Sequence, residues 1–312
     1  MKVLFVSSGN SDLGISPIVK NQGASIQNQG MDVKYFTIIG NGWRGYLSNL
    51  SSLRTIINEY KPDIVHAHYS LSAFAASLAG AKPLVVSLMG SDVKAKFWYK
   101  WIIYVFYKCS WSKTIVKSED MRIALGLKNV QVIPNGVDSS LFYPMEKRHC
   151  QQSLGWEPTK THILFPSNPK RFEKNYQLLE KSFAILEDKE IIIHALVNVP
   201  NNETPTYLNA SDLIVLTSLW EGSPNVIKEA MACNKTIVST KVGDIAWLFG
   251  SESGHFITNF TPEDVVNNIR LALQYSLENK GTKGRNRILD LGLDSKSIAK
   301  KLIGIYKENI KS

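Results

Sequence analysis

Short apolar runs alternate along the chain with segments whose apolar positions recur at helical spacing. In the first half, the runs at 2–6, 33–39, 62–68, 83–87, 113–116 and 130–133 are rich in Val, Ile, Leu and Phe; those at 162–166, 190–196, 212–216 and 236–240 have the same character in the second half. Near-continuous apolarity, rather than strict alternation, is what a strand covered on both faces requires, so each run is predicted as a buried strand. Helices are predicted between them at 17–29, 48–60, 177–186, 224–234 and 262–277, with a last one at 295–310. Strand and helix taking turns in this way predicts doubly wound parallel sheets. A chain of 312 residues suffices for two such domains. The expected organisation is an N-terminal domain over 1–150, a second over 151–294 and a terminal helix over 295–312, with the polar run at 145–160 as linker and 279–287 as a polar, mobile segment.

The stretch TSLWEGSPNVIKEAMACNKTIVSTKVG, residues 217–243, carries the strongest chemical signal. It follows the strand predicted at 212–216, places Pro224 where a helix would begin, and repeats Val226, Ile227, Ala230 and Met231 at helical spacing until Asn234. Such a loop leaves the carboxyl end of a parallel strand, where open α/β sheets take their ligands, and the free N–H groups of the first helical turn form an anion site. A diphosphate docked on Ser223, Pro224, Asn225 and Val226 would leave Glu229 able to accept two hydrogen bonds from a ribose diol. Glu221 and Gly222 would then face whatever is attached beyond the phosphates. Gly243, in the loop after the next strand, permits a close backbone approach in the same region. The first strand is also followed by a small-residue loop, 7–14, a place for a second ligand loop ending at Gly14. Gly9 and Gly14 do not complete G-x-G-x-x-G, which removes the best evidence for a nicotinamide cofactor.

The order E-G-x-P-N-V-x-x-E-A-M-A-C from Glu221 to Cys233 resembles the signature of retaining GT-B glycosyltransferases of family 4. D-x-V-H-x-H at 63–68, M-G-S-D at 89–92 and I-P-N-G-V-D-x-x-x-F at 133–142 are similar to further segments of that family. The resemblance implies two Rossmann-like domains facing across a cleft, with the last helix crossing back to the first. It also implies Glu221 near the transferred sugar or acceptor and Glu229 on the nucleotide ribose. His68, Met89 and Asp92 would lie on the acceptor side, Met89 standing where the family pattern has His, so that one polar contact to the sugar is missing or supplied otherwise. The resemblance further places Arg171 and Lys174 on the donor diphosphate, where two cations stabilise the charge that develops as the glycosidic bond breaks. Val199, in the loop 197–200, would sit beside the nucleotide base.

Composition narrows the partners. Of 36 Lys+Arg against 27 Asp+Glu, 17 and 9 fall in residues 1–150, so nearly all of the net +9 belongs to the first half, which is expected to meet something acidic. Residues 94–117, KAKFWYKWIIYVFYKCSWSKTIVK, hold six lysines, eight aromatics and no acid. That combination suits contact with an anionic membrane surface, and equally a helix with a core face and a solvated lysine face. No nucleic-acid motif accompanies the charge. Three scattered cysteines, Cys109, Cys150 and Cys233, form no C-x-x-C pair, which fits a reducing compartment and no structural zinc. No Asp-x-Asp pair is present to bridge a metal ion to phosphates.

The expectation is therefore a metal-independent, cofactor-free, retaining hexosyltransferase. It would move a sugar from a UDP- or GDP-sugar to a glycan or lipid-linked acceptor, in cell-surface polysaccharide or glycolipid synthesis, in the cytoplasm or at the inner face of the membrane. The alternative is a non-catalytic sugar-nucleotide-binding subunit that anchors a partner enzyme at the membrane.

Overall fold

The computed structural model describes residues 1–10, 14–93 and 96–310. The chain divides into two compact units, Met1–Gly136 with Ser295–Ser312, and Val137–Asp294. In the first unit β1 (Lys2–Ser8), β2 (Asp32–Ile38), β3 (Ile64–His68), β4 (Leu84–Ser87), β5 (Lys113–Val116) and β6 (Val130–Val132) form an all-parallel sheet in the order β2-β1-β3-β4-β5-β6. Leu4, Val6, Val65, Ala67, Leu84, Val86 and Val116 are buried in one core cluster, as strands covered on both faces demand. The helix Ser295–Ile310 closes this unit by packing on the helix Pro17–Gln27.

The second unit repeats the plan. β7 (Thr161–Phe165), β8 (Ile191–Ala195), β9 (Leu213–Leu216), β10 (Ile237–Thr240) and β11 (His255–Thr258) are parallel in the order β11-β10-β9-β7-β8. In each sheet the chain runs outward on one side of a central strand and resumes on the other. The reversal lies between β1 and β3 in the first unit and between β7 and β9 in the second, the two points at which a doubly wound sheet opens a crevice at its carboxyl edge.

Several boundaries differ from the sequence reading. The chain passes between units at Gly136–Val137, not near 150. The supposed linker holds the helix Lys147–Leu154, started by the Glu146 side chain capping the His149 N–H and buried through Cys150 and Gln151. Val137 instead forms an isolated bridge with Asp294, so the chain enters and leaves the second unit on neighbouring segments. The segment 279–287 is held in place: it runs into the helix Gly284–Asp290, and the Arg285 guanidinium donates to the carbonyls of Phe142 and Ser139 at 2.7 and 2.9 Å. The single helix expected at 48–60 is two, Gly42–Ser48 and Leu50–Tyr60, broken at Asn49, whose amide donates to Ile39 O and Gly45 O. Short elements with little apolar periodicity, the helices Thr204–Ala210 and Ile245–Phe249 and strand β11, carried no sequence signal strong enough to find them.

Candidate active site

At the carboxyl edge of the second sheet, loops from three strands are stitched together. Thr217, just after β9, donates through Oγ1 to the carbonyls of Lys174 and Asn175 in the loop that follows β7, and Leu219 N donates to Glu173 O. Thr240, ending β10, donates through Oγ1 to Ser218 O at 2.7 Å. Gly243 has φ +56°, and a Cβ there would lie 2.5 Å from Gly222 O. Its close approach is thus to the Glu221–Gly222 backbone, which only a glycine allows. These contacts bring Lys174 against Glu221, with Nζ 2.5 Å from Oε1 and both side chains nearly buried. Ser218 Oγ donates to the same oxygen at 2.7 Å. With both partners on Oε1, Oε2 is the oxygen of Glu221 left to meet a ligand. Arg171, the other expected cation, is exposed and paired with Glu173 at 2.5 Å, so the structure does not bring it to the Lys174–Glu221 pair.

The helix that follows is Asn225–Ala232, with Pro224 as its N-cap rather than its first turn. No side chain caps it, and proline has no N–H, so the leading amides of Asn225, Val226 and Ile227 have no acceptor inside the helix. Beside them the Asn225 Oδ1 is buried without a hydrogen-bond partner. Ser223, Asn225 and Val226 keep part of their surface open, while Gly222 and Pro224 are buried. One turn further on, Glu229 keeps part of its surface, yet burial of its carboxyl pushes the pKa up to about 7 against the pull of Lys228. Sequence reading missed Lys228. It is fully buried, its Nζ donates to Ser223 Oγ at 3.0 Å, and burial pushes its pKa down to about 8 against the pull of Asp244 and Glu229. No sequence signal marked it: in Ile227-Lys-Glu-Ala-Met231 a lysine beside a glutamate reads as the exposed face of a helix. Val199, after β8, is half-buried.

The carboxyl edge of the first sheet also gathers polar groups. His66 Nδ1 lies 2.6 Å from Tyr306 Oη, and its Nε2 lies 2.9 Å from Ser87 Oγ, which also accepts from Lys117 Nζ at 3.2 Å. His68 stacks on His66, with ring centroids 4.3 Å apart. Burial and the charge of Lys117 push its pKa down to about 3. It is therefore neutral near pH 7, and its buried Nε2 has no hydrogen-bond partner. Asp92 accepts from Ser70 Oγ at 2.5 Å and from Met89 N at 2.7 Å, which ties the loop carrying Met89 to the start of the helix Ser70–Leu78. Burial pushes Asp92 up to about 6. Both of its oxygens are engaged inside the protein, which makes it a brace for the Met89 loop. Gly14 has φ +67°, and residues 11–13 of the same loop lie outside the described residues. Ser70, Tyr99 and Lys117 belong to this cluster, and nothing in their spacing announced it. His194 is structural, stacked on Trp156 at 3.5 Å and bonded to His162.

Two family models match the chain: Glycosyltransferase Family 4 over residues 21–141, and Glycosyl transferases group 1 over residues 162–275. Among curated proteins, the chain is 26% identical over 290 residues to an Escherichia coli UDP-Gal:alpha-D-GlcNAc-diphosphoundecaprenol alpha-1,3-galactosyltransferase, covering 78% of this chain and 75% of that one. It is 28% identical over 217 residues to the putative teichuronic acid biosynthesis glycosyltransferase TuaC of Bacillus subtilis strain 168, covering 61% and 56%. Among solved structures, sucrose-phosphate synthase from Thermosynechococcus elongatus superposes with a TM-score of 0.84 at 14% identity over 98% of both chains. Anabaena Alr3699/HepE in complex with UDP does so with a TM-score of 0.76 at 16% identity over 99% and 100%. Matched by a family 4 glycosyltransferase model on its first half and a group 1 glycosyltransferase model on its second, and folded as two doubly wound parallel sheets, the chain belongs to the GT-B glycosyltransferases of family 4/group 1.

Proposed function

We propose that the protein is a retaining, metal-independent hexosyltransferase that takes its sugar from a UDP- or GDP-sugar. The observation that carries this reading is the Lys174–Glu221 pair set beside the uncapped start of the helix Asn225–Ala232. The leading amides would take the diphosphate, Lys174 would add a full positive charge, and Glu229 would accept the ribose hydroxyls. Glu221 Oε2 would accept from a hydroxyl of the sugar. As the bond from C1 to the phosphate oxygen breaks, the developing charge meets fixed donors that need no reorganisation. The acceptor hydroxyl would attack C1 from the face the leaving group departs, passing its proton to the released phosphate oxygen, and the anomeric configuration is kept. The complex of Anabaena Alr3699/HepE with UDP-glucose supports a nucleotide-sugar donor. A panel of UDP- and GDP-sugars should raise the melting temperature for one base and leave it unchanged for the other. Incubation with that donor should then release its nucleotide, at least slowly, by hydrolysis. Stabilisation with no release over any acceptor would favour the non-catalytic subunit instead.

The acceptor side of the reading is a glycan or lipid-linked sugar taken up by the first unit for a surface polysaccharide or glycolipid, as the names of the Escherichia coli and Bacillus subtilis relatives suggest. The helix Phe97–Cys109 supports the lipid-linked form. Tyr99, Phe106 and Tyr107 pack against the core, while Phe97, Trp98, Trp101 and Tyr104 are 87%, 60%, 63% and 44% exposed on successive turns, with Lys96 and Lys108 exposed beside them. Four outward aromatics on a helix that already has a buried face need another apolar phase, and the lysines favour an anionic one. Lys94 and Ala95, which open the segment predicted for this role, lie outside the described residues. No helix among the described residues is long and apolar enough to cross a membrane. The contact proposed is peripheral, and the membrane face it would meet is proposed to be the cytoplasmic one. Replacing Trp98 and Trp101 by serine should cut co-sedimentation with vesicles rich in phosphatidylglycerol about tenfold while leaving hydrolysis of a soluble donor unchanged. Equal sedimentation of both proteins would remove the helix from membrane binding.

A further inference from the structure

A lysine with no exposed surface is rare enough to need a reason. Lys228 projects from the first turns of the helix Asn225–Ala232 into the protein, not into solvent. Its ammonium donates to Ser223 Oγ at 3.0 Å, and it lies in the field of the Asp244 and Glu229 carboxylates. Ser223 is the last residue before the cap of the helix whose free amides would receive the diphosphate, and Asp244 belongs to the loop after β10. The two loops already touch through Gly243 and Gly222 O. Burying an ammonium is costly unless opposite charge and hydrogen bonds compensate, and here the hydrogen bond fixes the residue that leads into the helix.

We propose that Lys228 is a positioning residue for the diphosphate, holding Ser223 at the start of the helix Asn225–Ala232 so that the helix amides are preset before a nucleotide arrives. The proposal rests on the second unit binding a nucleoside diphosphate, and it goes further by assigning preorganisation to a side chain that no ligand can touch. Without that hydrogen bond, Ser223 and the leading amides would have to be ordered at the moment of binding, and that cost falls on the phosphate groups alone. Glu229, one residue on, would still meet the ribose.

Binding of UDP and GDP is therefore to be compared with that of uridine and guanosine, by calorimetry, in wild type and in Lys228→Met. The expected result is an about tenfold loss of affinity for the preferred diphosphate, with affinity for the matching nucleoside unchanged within twofold. Lys228→Arg, which keeps the charge and the donors, should recover most of the loss. A single Lys228→Met change removes a positive charge in whose field Asp244 lies, and can unfold the protein. The double change Lys228→Met with Asp244→Asn removes both charges and should show the same selective loss. Equal weakening of diphosphate and nucleoside, or no weakening of either, overturns the positioning role. A wild-type protein that binds neither diphosphate overturns the donor-site reading itself.

Discussion

Lys174→Ala should lower turnover about a hundredfold or more while weakening donor binding far less. The side chain is 10% exposed and its ammonium is held 2.5 Å from Glu221 Oε1, an oxygen that also accepts from Ser218. Under the proposed reading a cation fixed in this way would meet the departing diphosphate, and a group that acts mainly on developing charge changes kcat more than ground-state affinity. The same substitution strands a nearly buried carboxylate, so stability should fall as well. Glu221→Gln separates the two effects: it keeps the hydrogen-bonding shape of the pair and removes the stranded charge, so Lys174→Ala combined with Glu221→Gln should regain stability without regaining turnover. Near-wild-type turnover in Lys174→Ala, measured at saturating donor and acceptor, would remove Lys174 from the mechanism. Arg171→Ala should cost much less, because its exposed guanidinium is engaged with Glu173 on its own loop.

What could be read from the sequence divides along physical lines. Elements with strong patterning were legible: β1, β3, β7 and β9 as largely apolar runs, and the helices Pro262–Glu278 and Ser295–Ile310 as amphipathic stripes. The pairing of Glu221 with a cation was not legible from spacing, because 47 residues separate it from Lys174 and only the β7–β9 reversal brings their loops together. Order within polar segments was also invisible. The helix Lys147–Leu154 depends on a Glu146 cap, and the place of Gly284–Asp290 depends on Arg285 reaching carbonyls more than a hundred residues away in sequence. A run of polar residues looks the same in sequence whether its side chains meet water or remote backbone.

The same blindness hid Lys228 and the charge state of Glu229, and the latter leads to the largest expected effect on binding. The Glu229 carboxyl is pushed from 4.5 to about 7 by burial, with Lys228 pulling the other way. In the empty protein this group opposes folding as pH rises: below 4.5 both states are protonated, between 4.5 and about 7 the unfolded chain ionises first, and above about 7 the penalty is complete. A ribose diol reverses the balance, because it donates two hydrogen bonds and only the ionised carboxylate accepts both. Donor affinity should therefore be highest above pH 7 and fall about tenfold per unit as pH drops through the range below it. A nucleotide sugar is the proper probe, since its diphosphate is esterified at both ends and takes up no proton there. Glu229→Gln should weaken that donor about a hundredfold at pH 7.5, consistent with the loss of two charge-assisted hydrogen bonds, and should flatten the pH profile. It should also raise the melting temperature of the empty protein at pH 8 by removing a buried charge. A more stable protein that binds its donor worse is a combination that loss of fold cannot produce. Calorimetry over pH 5.5 to 7.5 tests this directly, and a wild-type affinity that does not change with pH would mean that Glu229 does not hold the ribose.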